Sequence, residues 1–227
     1  NSSLLDVGVG ELTTLSLLLN KLNKNNLDIF AFDISWSRLF KGREFFNENC
    51  VNKKINIFVA NMKHIPLGSK SIDVVISNHS LEPNRTDLQF LLKEIFRVAK
   101  YKCVLFEPSY ELNSKDGKKR MDNLGYIKDI EANVKALGGK VLDVSLIKNV
   151  INPINPTACY LIDPPQKVKE VNSNKPKFTA PGTDFYLEKD GLFFSSPDTG
   201  LFFPILKEIP ILKSDLGIFG SSFFDKK

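Results

Sequence analysis

Glycine and acidic residues at the ends of two apolar runs have the spacing of a nucleoside site. The first run contains Asp6 and leads into Gly8 and Gly10, where missing Cβ atoms let a ligand approach the backbone and a helix N-terminus. Asp33 ends the second run, where its two oxygens can accept hydrogen bonds from both hydroxyls of a ribose. Each residue also has a structural interpretation, a tight turn for the glycines and a helix N-cap for Asp33.

The residues after Gly10 separate two kinds of nucleoside cofactor. A dinucleotide site requires a third glycine and a helix N-terminus that is open to pyrophosphate. In this chain Glu11 and Leu12 occupy that turn. A carboxylate there repels pyrophosphate but tolerates the cationic amino and sulfonium groups of S-adenosylmethionine. The charge therefore favours a methyl donor over NAD.

Several residues after the later apolar runs could move a proton. Methyl transfer from a sulfonium is a direct displacement that depends largely on positioning, but a hydroxyl acceptor benefits from a base. His79 is the first choice because its unperturbed pKa lies near neutrality, and a polar residue that closes a loop is an equal interpretation. Glu82 is the second choice, and it could instead bind backbone or cationic groups around Asn84 and Arg85. Further candidate bases are Glu107, Tyr110 and Glu111.

Short apolar runs alternate with helix-period segments as far as residue 163, which is typical of β-α-β units around a parallel sheet. Because the runs are rich in Val, Ile, Leu and Phe, we expect helices on both faces of the sheet. One helix is predicted to begin at Thr86, with a capping box of Thr86 and Gln89, and another to span Lys118–Leu137. The seven predicted strands are Ser3–Val7, Asp28–Phe32, Ile55–Val59, Ile72–Ser77, Cys103–Glu107, Val141–Ile147 and Thr157–Ile162.

The pattern divides the chain into three segments. Residues 1–165 are predicted to form the α/β domain, and residues 166–177, which are rich in Lys, Asn and Pro, a linker. Residues 178–227 contain short aromatic strands, turns at Gly191 and Gly200, and no helical period. These features predict a small C-terminal β module.

Five motifs in this order resemble those of the UbiE-like class I methyltransferases, also called methyltransferase type 11. The motifs are Leu5–Gly10, Phe32–Ser35, Ala60–Met62 with Ile65–Leu67, Ser71–Pro83, and Glu94–Val98. The resemblance implies a Rossmann-like, mostly parallel sheet of seven strands whose last strand is antiparallel. It also implies an enzyme with S-adenosylmethionine as its cofactor.

The same resemblance assigns residues to the cofactor by position. It implies Asp6, Gly8 and Gly10 around the methionine portion, Asp33 on the ribose, Asn61 and Met62 at the adenine, and Asn78 with His79 facing the sulfonium. It also places Ile34 among the residues that bind the cofactor. Two positions differ from the family pattern. Leu12 replaces a third glycine, and Asn61 replaces an aspartate.

The C-terminal segment has its own resemblance. Gly191–Ile205 and Glu208–Leu212 resemble in order a zinc-ribbon-like module that serves as an activator subunit of some methyltransferases. Such modules open with Cys-Pro-x-Cys, whereas this chain has Ala180–Thr183, so we expect no metal there. The module could cover the substrate site, brace the α/β domain or mediate a homodimer.

Composition narrows the classes of function. Hydrophobic residues make up 42% and charged residues 25% of the chain, which is typical of a globular protein. With neither a membrane-length apolar run nor a signal peptide, we expect a cytoplasmic protein without a membrane partner. The net charge is +5, but Lys and Arg are spread among Asp and Glu, so nucleic acid is not favoured as a partner.

These observations lead to three hypotheses. The first is a methyltransferase that acts on a small-molecule acceptor. The second is a cofactor-binding or scaffold protein without catalysis, suggested by Leu12, Asn61 and the absent cysteines. The third is an RNA or protein methyltransferase, favoured by the activator-like tail and the net charge of +5.

Overall fold

The structure is a computed structural model that describes residues 2–22, 26–148, 152–166 and 176–220. Seven strands form one sheet: β1 Ser2–Val7, β2 Leu27–Asp33, β3 Ile55–Val59, β4 Ile72–Asn78, β5 Ala99–Pro108, β6 Lys140–Leu146 and β7 Thr157–Asp163. Their order is β3-β2-β1-β4-β5-β7-β6. β7 is antiparallel to β5 and β6, and the pairs from β3 to β5 are parallel. The predicted Rossmann-like α/β fold with an antiparallel last strand is confirmed.

Helices cover both faces of the sheet, as expected for buried parallel strands. The helices are α1 Thr13–Leu22, α2 Trp36–Asn49, α3 Leu88–Val98, α4 Lys115–Asn123 and α5 Ile130–Ala136. Alternating side chains of β1 enter two separate cores, because successive strand residues point to opposite faces. Leu4 packs in the core that contains α1 and α2, and Leu5 packs in the core that contains α3 and α5.

The predicted helix over Lys118–Leu137 is wrong, because two helices occupy this range. α4 ends at Asn123, and Gly125 has a φ of +64°, a left-handed conformation that favours glycine. Beyond it, the backbone amide of Ile127 donates to the carbonyl of Glu82 at 3.0 Å. This hydrogen bond attaches the α4–α5 connection to the segment after β4.

The predicted capping box at Thr86 and Gln89 is also wrong. α3 begins at Leu88, and Asp87 stands at the N-cap position without a side-chain capping hydrogen bond. Tertiary burial supports this helix instead, since Leu91, Leu92 and other apolar residues of one face are buried in the core.

The C-terminal residues form a separate antiparallel sheet. Its strands are β8 Glu188–Asp190, β9 Phe193–Ser196, β10 Leu201–Leu206, β11 Ile209–Pro210 and β12 Ile218–Phe219. The small β module is therefore present in the structure. The predicted linker at 166–177 falls mostly outside the described residues.

The C-terminal module packs along the outer edge of the main sheet. The amide of Leu212 donates to the carbonyl of Val59 at 2.8 Å, and the amide of Thr179 donates to that of Pro66 at 3.1 Å. The contact with Val59 covers the end of the edge strand β3, which would otherwise expose unpaired backbone groups. Two side chains of α2 also donate to the turn after β10, Trp36 to Leu206 and Arg43 to Lys207. Of the expected roles of the module, bracing has this support, and dimerisation stays a prediction.

No helix within the described ranges is long and apolar enough to cross a membrane.

Gly42 allows a test of how α2 positions the loop after β1. A Cβ at Gly42 would lie 2.5 Å from the carbonyl carbon of Glu11, so α2 can support this loop only if residue 42 is glycine. Replacing a helical glycine with alanine ordinarily stabilises a protein by about 0.5–1 kcal/mol. We expect Gly42→Ala to do the opposite and to lower the free energy of unfolding by about 1–3 kcal/mol in urea denaturation.

Glu44→Ala, at an exposed position of the same helix, is the matched control and should change the free energy of unfolding by less than about 0.5 kcal/mol. A more stable Gly42→Ala variant would show that the contact with Glu11 does not constrain the loop.

Candidate functional site

The loop after β1 is held by the carboxylate of Asp33. The amide of Gly10 donates to Asp33 Oδ2 at 2.9 Å, and the amide of Ser35 donates to Asp33 Oδ1 at 2.9 Å. Ser35, not Asp33, is the N-cap of α2, since its hydroxyl accepts from the amide of Arg38. Each carboxylate oxygen can accept a second hydrogen bond, so Asp33 keeps the capacity to bind a ribose.

Gly8 and Gly10 have left-handed φ values of +70° and +62°, which glycine adopts without strain. A Cβ at Gly8 would lie 2.4 Å from the Cβ of Ser80, in the loop after β4. A Cβ at Gly10 would lie 2.5 Å from a guanidinium nitrogen of Arg38. The glycines therefore allow both the loop after β4 and the first turn of α2 to approach the end of β1.

Leu12, which replaces the third glycine of the family pattern, folds away from this loop. Its φ is +60°, and its side chain is fully buried in the core with Leu15 and Leu39. A left-handed non-glycine residue costs about 1–2 kcal/mol, and burial of a leucine side chain offsets about 1.5–3 kcal/mol. Leu12 is thus part of the fold of the domain.

A cavity of about 380 Å³ opens at the carboxyl ends of β1 to β4. Six of the sequence-predicted residues line it: Gly8, Asp33, Ile34, Asn61, Met62 and His79. Asn61 Oδ1 accepts from the amide of Lys63 at 2.9 Å and so caps a short 3-10 turn that places Met62 in the wall. Sequence reasoning missed Arg38, Ser80 and Asn84, which also line this cavity. We call it the first cavity.

A second cavity, of about 330 Å³, lies on the α1 side of the same strand ends. Asp6, Asn78 and His79 line it together with Thr14 and Thr157. Asn78 Nδ2 donates to Thr14 Oγ1 at 3.2 Å, which orients the amide. His79 lines both cavities. Eight of the predicted site residues are therefore divided between two spaces that meet at His79, whereas Gly10 and Glu82 line neither of them.

Asp6 is the acidic group of the second cavity. It is buried, and its Oδ1 has no hydrogen-bond partner among the described residues. Burial, together with the charge of the nearby carboxyl of Glu107, raises the pKa of Asp6 to about 8. An unpartnered buried carboxyl is costly, so the second cavity favours a ligand with a cationic or donor group.

His79 and Glu82, the two predicted catalytic residues, are in contact. His79 Nδ1 lies 2.6 Å from Glu82 Oε2, and its Nε2 lies 2.8 Å from Thr157 Oγ1. The hydrogen bond with Glu82 raises the pKa of His79 against the opposing effect of burial. Burial alone would raise the pKa of Glu82, but its hydrogen bonds with His79 and Tyr126 lower it. This arrangement stabilises a protonated imidazole, as a base that accepts a proton requires.

Three other candidate bases are engaged elsewhere. Glu107 is fully buried and accepts from two backbone amides. Tyr110 donates to Asp122 at 2.9 Å, and Glu111 accepts from the amide of Asp129 at 2.7 Å. The carboxylate of Glu82 likewise binds His79 and not the turn at Asn84 and Arg85.

A family model described as a methyltransferase domain matches residues 5–106, from β1 to β5. The segment from β1 to β5 is thus a methyltransferase domain. The match includes Asp6, Asp33, His79 and Glu82 but ends before Thr157 and before the C-terminal module. No curated protein sequence matches the chain.

Solved methyltransferase structures share the fold of this domain. A SAM-dependent methyltransferase from Methanosarcina mazei is 16% identical, with a TM-score of 0.58, over 74% of this chain and 94% of that chain. Geranyl diphosphate C-methyltransferase from Streptomyces coelicolor A3(2), in complex with Mg2+, geranyl diphosphate and S-adenosyl-L-homocysteine, is 12% identical, with a TM-score of 0.55, over 72% and 71%. Magnesium protoporphyrin IX methyltransferase from Synechocystis PCC 6803, with bound SAH, is 14% identical, with a TM-score of 0.55, over 70% and 73%.

Potential metal ligands are not grouped in the part of the chain that the structure describes. Within those ranges, no cluster of three or more His, Cys, Asp or Glu residues could hold a metal ion.

The pair of His79 and Glu82 predicts a pH-dependent stability. The raised pKa of His79 stabilises the fold below the ordinary value of 6.5, and this contribution is lost as the pH rises through the raised pKa. The lowered pKa of Glu82 stabilises the fold above the ordinary value of 4.5, and this contribution is lost as the pH falls through the lowered pKa. We therefore expect Glu82→Gln to lower the free energy of unfolding by about 1 kcal/mol in the interval between these ordinary values.

Urea denaturation across pH measures this difference, which should shrink at alkaline pH where His79 is neutral in both proteins. Glu44→Gln, exposed on α2, is the control. An equal loss at acidic and alkaline pH would contradict a charged pair.

Proposed function

We propose that this chain is an S-adenosylmethionine-dependent methyltransferase that transfers a methyl group to a small-molecule acceptor by in-line displacement. The observation that carries the proposal is the first cavity, in which Gly8, Asp33 and Asn61 line one space at the carboxyl ends of β1 to β3. Its volume of about 380 Å³ lies in the range of small-molecule sites. The family match and the small-molecule methyltransferases of the same fold support the proposal.

In this proposal the nucleoside of the donor occupies the first cavity. Asp33 accepts hydrogen bonds from the ribose hydroxyls through the lone pairs that Gly10 and Ser35 leave free. Ile34 packs beside the sugar, since it lines the cavity and is 59% exposed. Asn61 and Met62 hold the adenine, with Met62 as the apolar surface.

The amino-acid portion of the donor extends past His79 into the second cavity. There the unpartnered oxygen of Asp6 accepts from its ammonium group, and Asn78 lies beside the path. A cation in this cavity favours the ionised form of Asp6 and offsets the cost of its burial. The residues present therefore fit the methyl donor that the family implies.

S-adenosylmethionine supplies the methyl group on a positively charged sulfur. The protein positions the acceptor, and His79 accepts the proton that an acceptor hydroxyl or amine releases. Glu82 then stabilises the imidazolium through its bond to Nδ1. Because the pKa of His79 is raised, the neutral imidazole that this step needs accumulates only at pH values above that raised pKa.

The alternative of a scaffold protein without catalysis loses one of its reasons. Leu12 packs in the core and leaves the first cavity open. Asn61 still presents an amide to that cavity. Turnover of labelled donor with cell metabolites would exclude the scaffold hypothesis.

Calorimetry with two donor fragments tests how the site is divided. S-adenosylhomocysteine carries both the nucleoside and the amino acid, whereas methylthioadenosine lacks the amino acid. We expect the wild type to bind both, and Asp6→Asn to weaken only S-adenosylhomocysteine, by about 10-fold or more, because a hydrogen bond to a charged group is lost. Asparagine has the shape of the protonated carboxyl and so should preserve the fold.

Asp73→Asn is the matched control, because Asp73 accepts the backbone amide of Ser3 at the end of β1 opposite to the cavities. It should leave both affinities unchanged. The proposed function would be contradicted if neither S-adenosylhomocysteine nor S-adenosylmethionine bound at high ligand concentration. Equal weakening of both fragments by Asp6→Asn would reject the role of Asp6 alone.

A further inference from the structure

Glu107 lies near the carboxyl end of β5 and is fully buried beneath the loop after β4. Its Oε1 accepts from the amides of Ser80, at 3.1 Å, and Leu81, at 3.2 Å. The preceding amide, that of His79, donates to the carbonyl of Phe106 at 2.9 Å. Three consecutive amides of the loop are therefore held by two consecutive residues of β5.

The backbone of His79 requires this support. Its φ of +53° lies in the left-handed region, which is unfavourable for a residue with a Cβ and persists only where the surroundings fix it. Consecutive amides around a left-handed residue form a concavity that favours an anionic group. The carboxyl of Glu107 occupies the position of that anion, with no cationic side chain needed to hold it.

Electrostatics couple Glu107 to the imidazole. Burial raises the pKa of Glu107, and although the amides of Leu81 and Ser80 and the charge of His79 lower it, the net pKa is about 7. In return, the negative charge of Glu107 is one of the causes that raise the pKa of His79. The hydrogen bond with Glu82 and the charge of Glu82 are the larger causes. The other ionisable groups near Glu107 are Asp6 and Tyr160.

We propose that Glu107 is a positioning residue for His79, whose buried carboxyl fixes the loop from His79 to Leu81 and so directs the imidazole toward Glu82 and Thr157. The inference rests on the proposed function, because His79 serves catalysis only if the chain methylates an acceptor. Glu107 acts through His79 and not on the reacting atoms.

Two substitutions separate the backbone contacts of Glu107 from its charge. Glu107→Gln keeps an oxygen that can accept from Ser80 and Leu81 but removes the negative charge. Glu107→Leu removes both. The chain has two histidines, His64 and His79, so ring resonances can be assigned and followed by NMR without a donor or an acceptor.

We expect Glu107→Gln to move the titration of His79 to lower pH and to keep slow hydrogen exchange at the amides of Ser80 and Leu81. Glu107→Leu should also move the titration and should accelerate exchange at these two amides by about 10-fold or more. An unchanged titration of His79 in both variants, or unchanged exchange in Glu107→Leu, would overturn the proposal.

Glu94→Gln is the matched control, because the carboxylate of Glu94 also accepts a backbone amide, that of Ile65, at 3.1 Å. It should affect neither the titration of His79 nor exchange at Ser80 and Leu81. Equal effects in this control would reduce the role of Glu107 to general destabilisation and overturn the proposal.

The wild type offers a test that does not depend on a variant that folds. The side-chain carboxyl resonance of Glu107 should titrate near pH 7, and the ring resonances of His79 should respond to the same protonation. Titration of Glu107 in the ordinary acidic range of glutamate would overturn the coupling. Donor binding is measured separately, so failure of this inference is distinct from failure of the proposed function.

Discussion

The carboxylate of Asp33 is the interaction on which the rest of the site depends. It accepts from the amide of Gly10 after β1 and from the amide of Ser35 before α2, while the backbone carbonyl of Asp33 accepts from the amide of Ala60 after β3. One buried residue thus joins the carboxyl ends of three parallel strands. Because much of the wall of the first cavity comes from these same segments, the position of Asp33 constrains that part of the cavity, and the loop after β4 and α3 supply the rest.

The sequence predicts this frame well because its signals are local. Apolar runs, glycines at a strand end and an acidic residue at the next strand end depend on neighbours in the chain, and the sheet they predict is confirmed. Contacts between distant segments could not be predicted. Thr157 lies 78 residues from His79, and the break between α4 and α5 follows from a contact with Glu82. The place of Arg38 in the cavity wall could have been predicted from the sequence, because the first turn of a helix that follows Asp33 lies beside the strand ends.

The buried ionisable groups of the site are acidic, whereas the chain as a whole carries a positive net charge. The net charge of the chain is +5, yet the buried ionisable groups around the two cavities are the acids Asp6, Asp33 and Glu107. Arg38, 3.8 Å from Asp33, is a mostly exposed side chain that can move aside. An acidic interior within a basic chain suits a cationic donor. The charge of Glu107 also contributes to the raised pKa of His79. In the proposed function, Asp6 and Asp33 bind the donor, whereas Glu107 acts on the position of His79.

In the proposed function, the methyl donor lies across both cavities with its ribose on Asp33. A crystal structure of the chain with S-adenosylhomocysteine tests it most directly. We expect the adenosine in the first cavity, both ribose hydroxyls on the carboxylate of Asp33, and the amino group within hydrogen-bond distance of Asp6. A ligand bound elsewhere, or a ribose that does not contact Asp33, would contradict it.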